Sequence, residues 1–347
     1  MNIVLHAGMH KTGTTSLQRA LLAHGTAFAE AGCRVLVNPP QVMVKAREGF
    51  DPEWLAGQVA AAEKSGAARL IISAEAISTF SRDQMERLLA CFGRHPVRVV
   101  LALRHWSGFL PSRWKQNCSR RDSQSFGGYL RRLDSAQERH IEANYPLVAA
   151  HMLAGDGLDL RIVSFDNAGS EALLLYELLR ATGVAESLAK RVSATSPVLH
   201  KSKNTAFYEL CRLFNGAWSA ATGREQNALF LSILEHGSVR DFYDFGPLVE
   251  PCLRANPVLG DTLVSQLRGG SALVSLAPET MAAWEQRAQA LLPYVQNPRD
   301  GRVFASPGAL AFSCSSLEIE DLAPELCDKM VSALRIARLA AGRPPGQ

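Results

Sequence analysis

The sequence predicts an α/β fold, a central parallel sheet covered on both faces by helices in a three-layer sandwich, with further helices added at the C-terminal end. Three observations carry that expectation. The first half of the chain alternates short apolar runs with stretches of helical periodicity. One of those runs, Val97-Arg98-Val99-Val100-Leu101-Ala102-Leu103, is nearly continuous in apolar residues, as a strand covered on both faces must be. The chain also opens on an apolar run, Ile3-Val4-Leu5, that passes through a small hydroxyl-rich turn into a helical pattern.

The elements follow in order. Leu17, Ala20 and Leu21 sit at helical spacing, and Leu22 and Ala23 broaden that face. Residues 33–37 form a short strand pattern closed by Asn38-Pro39-Pro40, and 52–64 an amphipathic helix ended near Gly66. A third strand is expected at 70–73. Ser81-Arg82-Asp83-Gln84 then has the spacing of an N-cap, opening a helix that reaches Cys91. After the strand at 97–103 come helical stretches at 109–118, 126–133 and 141–153, a strand at 158–165 and a helix at 171–181. Beyond about Ser193 the strand signals fade. Residues 205–214, 227–235 and 278–292 read as helices, with a Gly- and Pro-punctuated stretch between the last two. The expected division is an α/β core over 1–205, a mainly helical extension over 206–340 packed on the core, and a frayed tail at 341–347.

With 347 residues, 47% of them hydrophobic and 20% charged, a sizeable core is within reach. A formal net charge of +4 argues against bulk nucleic-acid binding, while a local anion site needs only a few well-placed cations. The seven cysteines are scattered, form no C-x-x-C pair and stand at no metal spacing with histidine, so they read as reduced thiols. No run approaches the ~20 apolar residues of a membrane span. With a strand expected from residue 3, the reading has no signal peptide and expects a cytoplasmic protein.

Chemistry concentrates in the opening turn. Ala7 to Gln18 reads Ala-Gly-Met-His-Lys-Thr-Gly-Thr-Thr-Ser-Leu-Gln directly after the first strand. Such a turn aims backbone N–H groups, an ammonium and several hydroxyls at one point, beside the positive end of a helix dipole, and a phosphate or sulfate is the natural occupant. It is not a Walker A sequence, because Lys11 precedes Gly13 instead of following it. Nor does a Mg²⁺-binding acid end the later strand, where Arg104 and His105 follow Leu103.

His10-Lys11-Thr12-Gly13-Thr14-Thr15-Ser16-Leu17-Gln18 resembles the 5′-phosphosulfate loop of the sulfotransferase family, usually P-K-[ST]-G-T-T-x-L-Q. The family also carries an arginine at the end of a core strand with a serine eight residues on, which hold the 3′-phosphate of 3′-phosphoadenylyl sulfate (PAPS). Arg104 and Ser112 stand at that spacing, and the segment Trp106 to Gln116 is similar to bacterial members. The resemblance covers about residues 1–205. It implies a P-loop NTPase-like fold, PAPS as donor, PAP as product, and no metal. Lys11 would act on the bridging oxygen, with Thr12, Gly13, Thr14, Thr15 and Ser16 holding the phosphosulfate. Glu75, after the strand at 70–73, occupies the place of the family's histidine or glutamate base. His10 stands where the family has proline and is a candidate contact to sulfate, while Ser16 stands where the cytosolic enzymes have an adenine-stacking tryptophan. Lys201 and Lys203, beside His200, resemble the late basic loop over the 3′-phosphate. Arg120, Arg121, Arg131 and Arg132 read either as attraction for an acidic acceptor or as a solvated face. The expected reaction is in-line sulfuryl transfer to a hydroxyl or amine, on a carbohydrate or small polar metabolite. A nucleotide kinase and a non-catalytic PAP/PAPS-binding protein are the alternatives.

Overall fold

Five short segments pair side by side in the order β2-β3-β1-β4-β5. They are β1 (Asn2–His6), β2 (Cys33–Val37), β3 (Arg69–Ser73), β4 (Val97–Leu103) and β5 (Asp159–Ser164), and every pairing is parallel. These are the five strands the apolar runs predict. The computed structural model describes residues 1–9, 11–43, 50–120, 122–136, 139–155, 157–197, 204–222, 246–305 and 308–341.

Alternation along the strands assigns the two faces. Val4, Ile71, Val100, Ala102 and Val163 enter one buried cluster with residues of the helices Thr14–Ala23, Gly25–Glu30, Glu171–Ala181 and Glu186–Thr195. Ile3, Leu5, Leu70, Ile72, Val99 and Leu101, one position out of step, are as fully buried on the other face. There the helix Pro52–Lys64 packs on β3, and Arg82–Ala90 packs on Tyr145–Met152. The expected cap of Arg82–Ala90 is a complete capping box: Ser81 Oγ accepts from Gln84 N, and the Gln84 side chain accepts from Ser81 N.

Register places the strand ends. His6 is level with Ser73 of β3 and with Val100 of β4, and Val37 is level with Ser73. β4 therefore continues three residues beyond the end of β1. The connection from β1 leaves toward β2 while that from β4 leaves toward β5, so the chain diverges between the carboxyl ends of β1 and β4. Ligands of open α/β sheets bind at such a divergence.

The chain forms two compact units interleaved along its length. The first comprises 1–109, 136–200 and 278–308, the second 110–135, 201–277 and 309–347. A single boundary near residue 205, expected from the fading of strand signals, does not coincide with this division. Residues 278–308 rejoin the first unit: Val295 bridges Ile162 of β5, and the Asn297 amide both accepts from Ser164 N and donates to Ser164 O, each at 2.9 Å. Trp106 stacks on Tyr145 at 4.6 Å and tilts against Trp284 at 5.4 Å.

In the second unit the helix Thr205–Thr222 packs on Pro324–Ala341 and on the helices Gly246–Ala255 and Pro257–Gly269. An antiparallel pair, β6 (Ser271–Ser275) with β7 (Ala311–Ser315), is a strand pair the sequence reading lacks. Arg212 is fully buried and clamps this unit. Its guanidinium lies 2.5 Å from Glu209 and donates to the carbonyl oxygens of Ser315 and Leu317, while Glu209 accepts from Ser315 N at 2.8 Å. The expected helix at 227–235 and residues 342–347 of the expected tail lie outside the described residues. Among the described residues no helix is long and apolar enough to cross a membrane, and all seven cysteines are free.

Candidate functional site

The turn after β1 runs beside the protruding end of β4. Ala7 N donates to Val100 O at 2.9 Å and Met9 N to Ala102 O at 3.4 Å. Lys11 (φ 65°) and Gly13 (φ 84°) are left-handed. Glycine adopts that conformation without cost, whereas lysine there is uncommon and marks a backbone held for a reason. Buried Thr12 closes the turn by donating its hydroxyl to Met9 O at 2.5 Å. The helix Thr14–Ala23 then begins with no side-chain cap and no acidic residue in its first turn. Its N-terminal N–H groups and positive dipole end thus meet no anionic side chain of that helix. Lys11 is exposed, Thr15 and Ser16 are half-buried, and Thr14 is buried.

Thr14 joins this turn to the end of β3. Its hydroxyl donates to Glu75 Oε1, and Glu75 opens the 3-10 turn Glu75–Thr79 that follows Ser73 and Ala74. Ala74 N donates to His6 O at 3.1 Å, tying the two strand ends together. Below them His6, fully buried, lies with Nδ1 2.8 Å from Ser73 Oγ. Burial pushes the His6 imidazole down to about 4 against the opposing pull of Glu75, so it is neutral at neutral pH. Gly8 lies against both side chains: a Cβ there would come within 2.2 Å of Thr14 Cγ2 and 2.7 Å of His6 Nε2. Beside this group, Gln18 and Asn38 exchange amide hydrogen bonds at 2.9 and 3.0 Å.

Arg104 follows the last residue of β4. Its guanidinium carbon lies 4.4 Å from the centroid of the Phe165 ring, and its carbonyl accepts from the Tyr145 hydroxyl at 2.7 Å. Burial pushes the Arg104 pKa down, while Asp166 and Tyr145 draw it up. Gly108, one helical turn on, leaves the space: a Cβ there would stand 2.6 Å from Arg104 Nε. Asp166 also accepts from His105 N at 2.5 Å, and His105 Nε2 lies 2.9 Å from Glu285 Oε1.

The structure thus hydrogen-bonds Thr14 to Glu75, with Thr12 and Gly13 in the turn immediately before Thr14. It sets the loop beside β4, the strand that ends at Arg104. Ser112 lies on the helix Trp106–Arg120, in the portion that belongs to the second unit. His10, Lys201, Lys203, His200 and Arg121 lie outside the described residues. Arg132 lies 3.8 Å from Asp122 and over the Tyr129 ring, as a surface charge does.

Sequence reasoning missed His6, Ser73, Gly8, Gly108 and Asp166. Gly108 had a signal, standing four residues after Arg104, where a helix returns to the same side. His6 and Ser73 had none until the register between β1 and β3 was known. The donor set suits an anion: helix N–H groups, Lys11, the Thr and Ser hydroxyls, and Arg104. Gly8 has no room for a Cβ because the Thr14 and His6 side chains pack against it. The chain matches no family model, no curated protein and no solved structure.

Proposed function

We propose that the protein is a PAPS-dependent sulfotransferase acting on a hydroxyl or amine acceptor of a carbohydrate or small polar metabolite. The observation that carries the reading is the hydrogen bond from Thr14 to Glu75, which sets a carboxylate at the edge of the anion-binding turn. When bound, PAPS supplies an activated sulfuryl group. The N–H groups of the turn, the hydroxyls of Thr15 and Ser16 and the Lys11 ammonium would hold its phosphosulfate end, and the Arg104 guanidinium its 3′-phosphate. Lys11 would offset charge on the oxygen that leaves. Glu75, anchored through one oxygen by Thr14, would take the acceptor's proton as that oxygen or nitrogen attacks. Positioning and charge stabilisation do most of the work in transfers of this kind.

A second reading, nucleotide binding without turnover, draws on the same hydrogen bond, since Glu75 Oε1 already serves Thr14. Two measurements separate the readings. PAP should raise the melting temperature more than ATP with Mg²⁺ does; the reverse order would favour a kinase and refute the proposal. Glu75→Gln should then keep PAP binding and lose roughly 10²–10⁴-fold of sulfuryl transfer to an acceptor found by screening with labelled PAPS. A variant with full turnover would remove Glu75 as the base.

A further inference from the structure

His6 has no part in the reaction described above, yet it lies directly under the loop. It is fully buried, its Nδ1 is engaged by Ser73, and its Nε2 has no hydrogen-bond partner among the described residues. That nitrogen abuts Gly8, at 2.7 Å from the position a Cβ would take. A buried ring nitrogen left unsatisfied is unfavourable and calls for a physical account. Among the described residues, Ser73 from β3 meets Nδ1, Glu75 lies on the turn after it, and Thr14 shares with Nε2 the contact at Gly8. Glu75 is the charged one whose field acts on it. Ser73 can either donate to Nδ1 or accept from it, so the pair accommodates a neutral ring and a charged one without rearrangement.

Burial now outweighs Glu75 and keeps the ring neutral. A dianion in the turn would add a second negative charge close to Gly8, and both charges would then favour the imidazolium. We propose that His6 is the proton-linked floor of the anion site. When a phosphate- or phosphosulfate-bearing nucleotide fills the turn, one solvent proton binds the Nε2 lone pair while Nδ1–H goes on donating to Ser73 Oγ, and that proton returns to solvent on release. The inference rests on the reading of the turn as an anion site. It makes His6 a positioning residue, one that supplies a buried positive charge only while the ligand is present.

Calorimetry of PAP binding to the full chain, in buffers of different ionisation enthalpy near about pH 6.5, counts the protons taken up. The parent should take up a substantial fraction of one proton more than His6→Gln. Its affinity relative to the variant should fall as pH rises, by up to about tenfold per unit. Ionisation of the PAP phosphates cancels in that difference. Equal proton counts with PAP bound to both proteins would overturn the role of His6 and leave the anion site standing. Failure of the parent to bind PAP would overturn the site, and this inference with it. If His6→Gln does not fold, the imidazole resonances of the parent decide. A histidine neutral in the free protein and protonated at the same pH with PAP supports the inference, and the lack of one refutes it.

Discussion

Two glycine-to-alanine substitutions should act in opposite directions, because Gly8 is packed against Thr14 and His6 while Gly57 meets nothing. At Gly8 the added methyl would stand 2.2 Å from Thr14 Cγ2 and 2.7 Å from His6 Nε2, where ordinary carbon contacts lie at roughly 3.5–4.0 Å. Neither neighbour yields easily. Threonine is stiff about its one relevant torsion, and the His6 ring is buried and tethered to Ser73. Overpacking of this kind costs about 1–3 kcal/mol, and displacing Thr14 from Glu75 adds about 1 kcal/mol. Gly57 is exposed inside the helix Pro52–Lys64, and a Cβ there meets nothing within 4 Å. Alanine at that position should stabilise by about 0.5–1 kcal/mol. Thermal melting at about 2–4 °C per kcal/mol should therefore separate the two variants by roughly 5–20 °C. The PAP-induced shift should survive in Gly57→Ala and vanish in Gly8→Ala. A Gly8→Ala protein that melts with the parent and responds equally to PAP would refute the packing of Thr14 and His6 against the turn.

Arg104→Lys keeps the charge but loses the planar donor fork and the stacking on Phe165, and should weaken PAP binding by about 1–2 kcal/mol in calorimetry. His6 makes stability depend on pH: its folded value of about 4 lies below the ordinary 6.5, so the unfolded chain binds more protons between them. Its contribution is complete above pH 6.5 and is lost as pH falls toward 4, at up to about 1.4 kcal/mol per unit. Urea denaturation across that window should show this slope in the parent minus His6→Gln difference. Arg212→Met should destabilise the second unit by about 3–5 kcal/mol by leaving Glu209 buried without its cation, and Glu209→Gln in the same chain should recover part of the loss.

The five parallel strands were legible because each is a short apolar run, most of them opened by a nearby Gly, Pro or Asn, in a sheet covered on both faces. β6 and β7 were not. Ser-Ala-Leu-Val-Ser holds an unbroken apolar run whose middle residue, Leu273, is 72% exposed, and Ala-Phe-Ser-Cys-Ser alternates over only two apolar residues, too few to mark a strand. The return of 278–308 to the first unit was equally hidden. It rests on Trp284 and Phe304 meeting Trp106, and on Asn297 meeting β5, pairings that local periodicity does not encode. The turn itself stood out by composition, and Glu75 was singled out by the resemblance, from its place after β3. What could not be read was the layer beneath, His6 with Ser73 under Gly8, because a lone histidine at a strand end has no meaning until its neighbour across the sheet is known.

The sheet, not the loop, sets the spacing of Glu75 and Arg104, and for the proposed site that has a testable consequence. Glu75 follows β3 and Arg104 follows β4, with β1 between them. Two inter-strand steps place them about 10 Å apart laterally, and β4 also projects beyond the level of Ser73. Glu75→Gln removes a negative charge beside the anion turn and should tighten PAP binding, whereas Arg104→Lys should weaken it. At that separation, with a rigid hydrogen-bonded strand in between, the two effects should add in the double variant to within about 0.5 kcal/mol. Calorimetry on the four proteins closes the cycle. A coupling well above about 1 kcal/mol would mean that both residues grip one compact anion, and it would refute the picture of a ligand with two charged groups held by separate strands.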